Sequence, residues 1–152
     1  MTTAHLPELP RLLVDRAVEA ALLEDLGRAG DITAQATLPP EARAIAAFVA
    51  RTPGVVAGVD FAKRAMAMMD PAIRFSTLIA DGTRLAPGDV IARVEGSARA
   101  VLSAERVALN YLGHLSGIAS ATRMFADRIA HTKAKIVCTR KTTPGLRAFE
   151  KY

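Results

Sequence analysis

SAERVALNYLGHLSGIASATRMFADRIAH, residues Ser103 to His131, is the longest helical signal in the chain. Leu109, Leu112, Leu115, Ile118, Phe125 and Ile129 recur at the three- and four-residue spacing of one buried helical face. Ser103 suits an N-cap, because its hydroxyl can accept from a free backbone N–H, and Glu105 suits the positive end of the helix. Gly117 is expected to break or bend the run into two helices, since glycine weakens a helix interior. Strand-like segments precede this region and one apolar run follows it. That order reads as an α+β domain with a long helical region, followed by the first strand of a second unit.

Toward the N-terminus the pattern alternates between turns and short elements. Pro10 fits the first turn of a helix whose apolar face is read as Leu13, Ala17, Ala20, Ala21 and Leu23, with Gly27 as its stop. Glu24 to Thr33 is rich in acids and glycine and reads as a structured loop, closed by Pro39-Pro40. Ala44 to Arg51 reads as a strand, and Val55 to Ala57 as extended chain after the turn Thr52-Pro53-Gly54. Phe61 to Met69 reads as a helix, Ile73 to Ile79 and Val90 to Glu95 as strands, with turns at Asp81-Gly82 and Pro87-Gly88-Asp89. Toward the C-terminus, Ala134 to Cys138 is a short apolar strand of the parallel-sheet kind that runs into Thr139-Arg140-Lys141-Thr142-Thr143.

At 152 residues the chain suits one domain with a real core. It is 51% hydrophobic and only 5% aromatic, so aliphatic side chains must do most of the packing. No apolar run approaches the roughly eighteen residues of a membrane span. Met1 to His5 lacks the pattern of a secretory signal, and Cys138, the one cysteine, has no internal disulfide partner. A cytoplasmic setting is the expectation. The net charge of +5 is local: residues 133–152 hold six bases and the single acid Glu150, while the fourteen bases and fourteen acids before them cancel. A basic tail can serve a polyanionic small molecule, a nucleic acid or simple solvation. Phe149 and Tyr152 are the only aromatics in it, too few to interleave with bases, so nucleic acid is not the expected partner.

Thr139, Arg140 and Lys141 carry the sharpest chemistry. A strand ending in cations and hydroxyls places donors at its carboxyl end, where α/β folds bind ligands. Arg offers a planar fork for carboxylate or phosphate, and Lys a point charge. By pattern alone a basic surface loop fits equally well. Arg106, beside Glu105, fits a surface ion pair or a second anion contact. His114 fits a hydrogen-bonded helix residue. Asp25 and Asp31 fit capping and turn formation. Gly113 and Gly117 fit close helix packing, and no His, Cys, Asp or Glu cluster has metal-ligand spacing.

Three blocks together resemble one family: Glu24-Asp25-Leu26-Gly27-Arg28-Ala29-Gly30-Asp31-Ile32-Thr33, the run Glu105 to Ala119, and Thr139-Arg140-Lys141-Thr142-Thr143-Pro144-Gly145-Leu146-Arg147 with Glu150-Lys151-Tyr152. In order and spacing they resemble the quinolinate phosphoribosyltransferases. The resemblance implies a pentosyltransferase of NAD biosynthesis. It would join quinolinate to phosphoribosyl pyrophosphate and release pyrophosphate and carbon dioxide to give nicotinate mononucleotide. It also implies an N-terminal α/β sandwich-like domain (1–131) and the start of a C-terminal α/β barrel (132–152). Magnesium is implied with phosphoribosyl pyrophosphate, its ligands lying outside this chain. So is a homo-oligomer in which Arg106 reaches the neighbouring subunit's site. Thr139, Arg140 and Lys141 would line the site of their own subunit, Arg140 on a carboxylate and Lys141 as the catalytic cation. With one barrel strand present, the chain alone is expected to be inactive, and residues after about 131 to be disordered or paired with another copy. Alternatives are a paralogue with another acceptor and a lipoyl-like module around Asp81 to Ala92. The latter lacks a lysine to modify, since none occurs between Arg64 and Lys133.

Overall fold

The computed structural model describes residues 8–152. Helix α1, Arg11–Leu26, follows Pro10 and ends at Gly27, whose φ of 56° lets its N–H turn back to the Leu23 carbonyl. Its buried side is Val14, Val18 and Leu22, an i, i+4, i+8 row; Leu13 and Leu23 are 40% and 67% exposed. The expected face is therefore rotated by one residue. α1 packs against both the helix Val59–Met69 and the helix Ala98–Arg128, and only the Val14 row points between them. A short helix absent from the sequence reading, α2 (Ile32–Thr37), starts at Asp31, whose carboxylate accepts the Ala34 N–H at 2.9 Å. Arg99 takes carbonyls near its other end, on Gln35 and Leu38.

The strands expected between Ala44 and Glu95 form. β1 (Arg43–Val49), β3 (Arg74–Thr77) and β5 (Val90–Ser97) make an antiparallel sheet in the order β1-β5-β3. β5 is central; it buries the alternate residues Ala92, Val94 and Gly96, and Ile91 as well. β1 is an edge whose outer side is open, with Ile45 81% exposed. β2 (Gly54–Val55) and β4 (Arg84–Leu85) pair as a two-residue ladder. Between them runs α3 (Val59–Met69), which buries Val59, Phe61, Ala62, Ala65 and Met66. Gly58 before it sits at φ 95°, and Asp81 accepts the Gly58 and Val59 N–H groups at 2.9 and 3.1 Å. The Asp81-Gly82 turn thus caps α3 from a distance in sequence.

Helix α4 runs Ala98–Arg128 straight out of β5, with Ser97 as its N-cap. Its 31 residues span about 46 Å. It starts earlier than expected. Ser103 is not the cap but a buried hydroxyl donating to Asp31 at 3.0 Å. Gly117 does not interrupt it, because serines on both sides hold the helix to β2 and the chain after it. Ser116 bonds both the N–H (3.0 Å) and the C=O (3.2 Å) of Ala57, and Ser120 does the same for Val55 (2.8 and 3.4 Å). Two hydroxyls one helical turn apart thereby stand in for a neighbouring strand. The approach is close: a Cβ at Gly54 would lie 2.6 Å from the Ser120 hydroxyl. A Cβ at Gly113 or Gly117 would meet nothing within 4 Å, so those glycines do not serve close packing among the described residues. Leu109 and Phe125, expected on the buried side, are 46% and 51% exposed. Leu112 and Leu115 are buried as expected, and the row continues toward the N-terminus through Ala108, Val107, Ala104 and Ala100. No helix among the described residues is long and apolar enough to cross a membrane.

After α4 the chain extends without a partner. Ala134 to Thr139 pairs with no strand among the described residues, so the strand expected at Ala134 to Cys138 is not formed here. A parallel strand needs neighbours for its N–H and C=O groups, and this chain offers none. The chain then folds back through a four-residue helix, α5 (Arg147–Glu150), which buries Phe149.

Candidate active site

Phe61 is the hinge of the packing near the site. It stacks on Tyr111 of α4, with ring centroids 4.7 Å apart, and meets Phe149 edge-on at 5.0 Å. The core of α3 and α4 thereby holds the end of the tail. Between α1 and α4 lies a cleft of 460 Å³ lined by Glu24, Asp25, Asn110, Tyr111, His114 and Leu146. The Tyr111 phenol donates to the Ala17 carbonyl at 3.0 Å, and burial, with the nearby Glu24 charge, pushes its pKa up.

Arg106 stands at the edge of this cleft with its side chain 74% exposed, and its guanidinium lies 3.3 Å from Asp25 on the last turn of α1. It pairs with Asp25, not with its neighbour Glu105. Of the two loop acids, Asp31 is a cap as expected, while Asp25 serves the arginine. Asp31 is held below the ordinary carboxylate range, first by the Ala34 N–H, then by the Ser103 hydroxyl and the Arg106 charge. An exposed ion pair of this kind stabilises little, so Arg106 stays available to another anion.

Thr139, Arg140 and Lys141 are all exposed. Their side chains have no hydrogen-bond or ion-pair partner among the described residues. Arg140 sits at φ 64°, in the left-handed region that side chains other than glycine rarely adopt, with its N–H 3.2 Å from the Cys138 sulfur. Two uncompensated cations on a kinked backbone are what an anion site needs before its ligand arrives. No hydrogen bond or ion pair joins them to Arg106.

The structure adds residues that the sequence reading passed over. His114 is hydrogen-bonded, as expected of it, and its partner is Glu150: Nε2 lies 2.9 Å from one carboxylate oxygen. Tyr152 reaches the Asp81 carboxylate that caps α3; burial first and that charge second push its pKa up to about 12. A signal for this docking existed, since two of the chain's seven aromatics, Phe149 and Tyr152, fall in its last four residues. Among the described residues no group of three or more His, Cys, Asp or Glu could hold a metal ion.

These features define a class: an α+β domain whose central strand feeds a long helix, and whose chain then runs on into a cation-bearing segment of a second unit. The family model for the quinolinate phosphoribosyl transferase N-terminal domain matches residues 31–116, and that for its C-terminal domain matches residues 118–152. The chain belongs to the quinolinate phosphoribosyl transferase family. It is 39% identical over 146 residues to quinolinate phosphoribosyltransferase [decarboxylating] 1b of Nicotiana tabacum, covering 96% of this chain and 41% of that protein. It is 44% identical over 137 residues to nicotinate-nucleotide pyrophosphorylase [carboxylating] of Mycobacterium leprae, covering 89% and 48%. The structure of NadC from Streptococcus pyogenes superposes with a TM-score of 0.92 at 38% identity, covering 97% of this chain and 52% of that one. The chain therefore spans about half the length of the relatives it matches.

Proposed function

We propose that this chain forms the substrate-facing N-terminal part of an enzyme that transfers a phosphoribosyl group from phosphoribosyl pyrophosphate to quinolinate, with decarboxylation to nicotinate mononucleotide. The observation that carries this reading is the pair of free cations, Arg140 and Lys141, exposed within the stretch that matches the family's C-terminal domain. Both substrates are multiply anionic. Arg140 suits a quinolinate carboxylate through its planar fork, with Thr139 as a neutral donor. Lys141 is the catalytic cation: it offsets negative charge as pyrophosphate leaves and the ribose carbon becomes oxocarbenium-like. Once the ring nitrogen is joined to ribose it is cationic, and it accepts the electron pair freed when carbon dioxide departs.

Arg106 is the second carboxylate contact, made in the neighbouring subunit of a homo-oligomer. Its exposure, its weak tether to Asp25 and its lack of contact with Arg140 and Lys141 support that assignment. The division between residues 1–131 and 132–152 belongs to the same reading, since α4 ends at Arg128 and the extended segment begins after Thr132. Magnesium would neutralise phosphate charge with ligands outside this chain, since the described residues form no cluster to hold it. A single exposed thiol, Cys138, suits a reducing cytoplasm.

The test is quinolinate titration of the chain, followed by NMR, with an Arg106→Ala/Arg140→Ala double variant alongside. Wild type should show saturable shifts at residues 139–141 that the double variant loses. Equal binding by both would remove these residues from the site. Product formation is not expected from the chain alone; phosphoribosyl transfer at a native-like rate would overturn that.

A further inference from the structure

Glu150 is the only acid among residues 133–152, which hold six bases. It neutralises neither Arg140 nor Lys141. Its side chain is 8% exposed, and each carboxylate oxygen is committed elsewhere: one to His114 Nε2 at 2.9 Å, the other to the Thr143 N–H at 3.0 Å. A carboxylate only accepts, so His114 must carry its proton on Nε2.

The placement of these contacts matters more than their number. Thr143 lies two residues after Lys141, so the two Cα atoms are within about 7.6 Å. From Lys133 to Thr142, no described hydrogen bond ties the chain to an element outside the tail. Arg147 donates to the Thr142 hydroxyl at 3.2 Å from the same helix α5, but Glu150 is the residue that bonds this stretch on one side and α4 on the other, so its hold on Thr143 is the nearest hydrogen-bonded tie from the cationic turn to the core. His114 transmits that hold to α4, about 12 Å along the helix from Arg106. Phe149, buried against Phe61, keeps Glu150 itself in place.

We propose that Glu150 is the positioning residue of the Thr139-Arg140-Lys141 turn, clamping it to α4 through His114 and the Thr143 amide while leaving both cations free for substrate. The role in substrate binding rests on the anion-site reading above; the clamp itself does not. Hydrogen bonds to an ionised carboxylate are the strong kind, and the carboxyl is held below its ordinary range by Thr143 first and His114 next.

The experiment is NMR on the 152-residue chain in three forms: wild type, Glu150→Ala and Glu150→Gln. It reads hydrogen exchange at the Thr143 amide, the His114 ring tautomer, and the quinolinate response of Arg140 and Lys141. Amide protection in α3 and α4 serves as the control for folding. In Glu150→Ala, Thr143 exchange should rise about tenfold or more, the Nε2–H tautomer of His114 should lose its preference, and quinolinate affinity should fall, with α3 and α4 unchanged. Glu150→Gln keeps an acceptor for Thr143 and should restore much of its protection and of the affinity. Unchanged Thr143 exchange in Glu150→Ala overturns the clamp. Faster exchange with unaltered quinolinate affinity overturns its role in positioning the cations. If the wild-type turn ignores quinolinate while Thr143 responds as expected, the clamp stands and the anion-site reading falls.

Discussion

Residues 43–128 and residues 132–152 are built on opposite principles. The first region satisfies itself. Its sheet, α3 and α4 bury a continuous apolar core, and even the two-residue strand β2 and the chain after it find partners in Ser120 and Ser116. The second region satisfies almost nothing of its own. Ala134 to Thr139 is extended and unpaired, its cations are exposed, and it is held only near its end by Phe149, Glu150 and Tyr152. The difference separates a region whose polar groups are paired around an apolar core from a region whose cations are left without partners among the described residues.

Removing the aromatic that both regions share should have the largest effect. Phe61 is 1% exposed, and Phe61→Ala should cost about 3–5 kcal/mol in denaturant unfolding, enough to threaten the whole domain. Phe149→Ala tests the contrast more sharply. The tail can detach without the core unfolding, so the loss should be no more than about 1.5–3 kcal/mol. Proteolysis should then cut between residues 132 and 152 while residues 43–128 survive. Equal loss of both regions would mean that they are one cooperative unit.

Asp31→Ala comes next. It removes the cap of α2 and the Ser103 acceptor, and should lower stability by about 1 kcal/mol. The smallest effect on stability belongs to Arg106→Ala, within about 0.5 kcal/mol, because the ion pair with Asp25 is exposed. If Arg106 contacts anions as proposed, the same substitution should also weaken quinolinate binding, read by titration, and a large stability loss would recast Arg106 as structural.

The tail should also be released by pH at both extremes while the core persists. Glu150 is held below its ordinary value of 4.5, so its contribution is present above that value and is lost as pH falls below it. Tyr152 is pushed from 10 to about 12, so its contribution is full below pH 10 and is lost as pH rises from 10 to 12. Hydrogen exchange of residues 143–152 against α3 amides across pH would show tail loosening first in both directions. A tail that loosens at neither extreme would mean that Glu150 and Tyr152 do not hold it.

Much of the first region was legible because its elements bury one side. β1, β3, α3 and β5 follow from apolar runs broken by Pro53-Gly54, Asp70-Pro71 and Pro87-Gly88. The misplacements have one cause: periodicity shows that a helix has an apolar face, but its neighbours choose which row is buried. α1 turns by one residue to place Val14, Val18 and Leu22 between two helices. α4 begins at Ala98, where β5 delivers the chain, and passes Gly117 because Ser116 and Ser120 hold it on either side. The cationic cluster at Thr139 to Lys141 was legible as chemistry, and Arg106 as a candidate. The Asp25 tether of Arg106 and the His114–Glu150 contact near the cluster were not, since their residues lie 81 and 36 positions apart.

By itself, then, the sequence determined the α+β class, the long helix, the basic tail and the family whose motifs it carries. These depend on local pattern, charge and spacing, which a linear chain displays. Only the tertiary structure decided that Asp81 caps α3, that Asp25 tethers Arg106, and that the one acid of the tail grips His114 while its cations stay free. Each of these is a contact between distant positions. The physical reason is that a carboxylate takes whichever donors packing brings within about 3 Å, and packing is a property of the whole core.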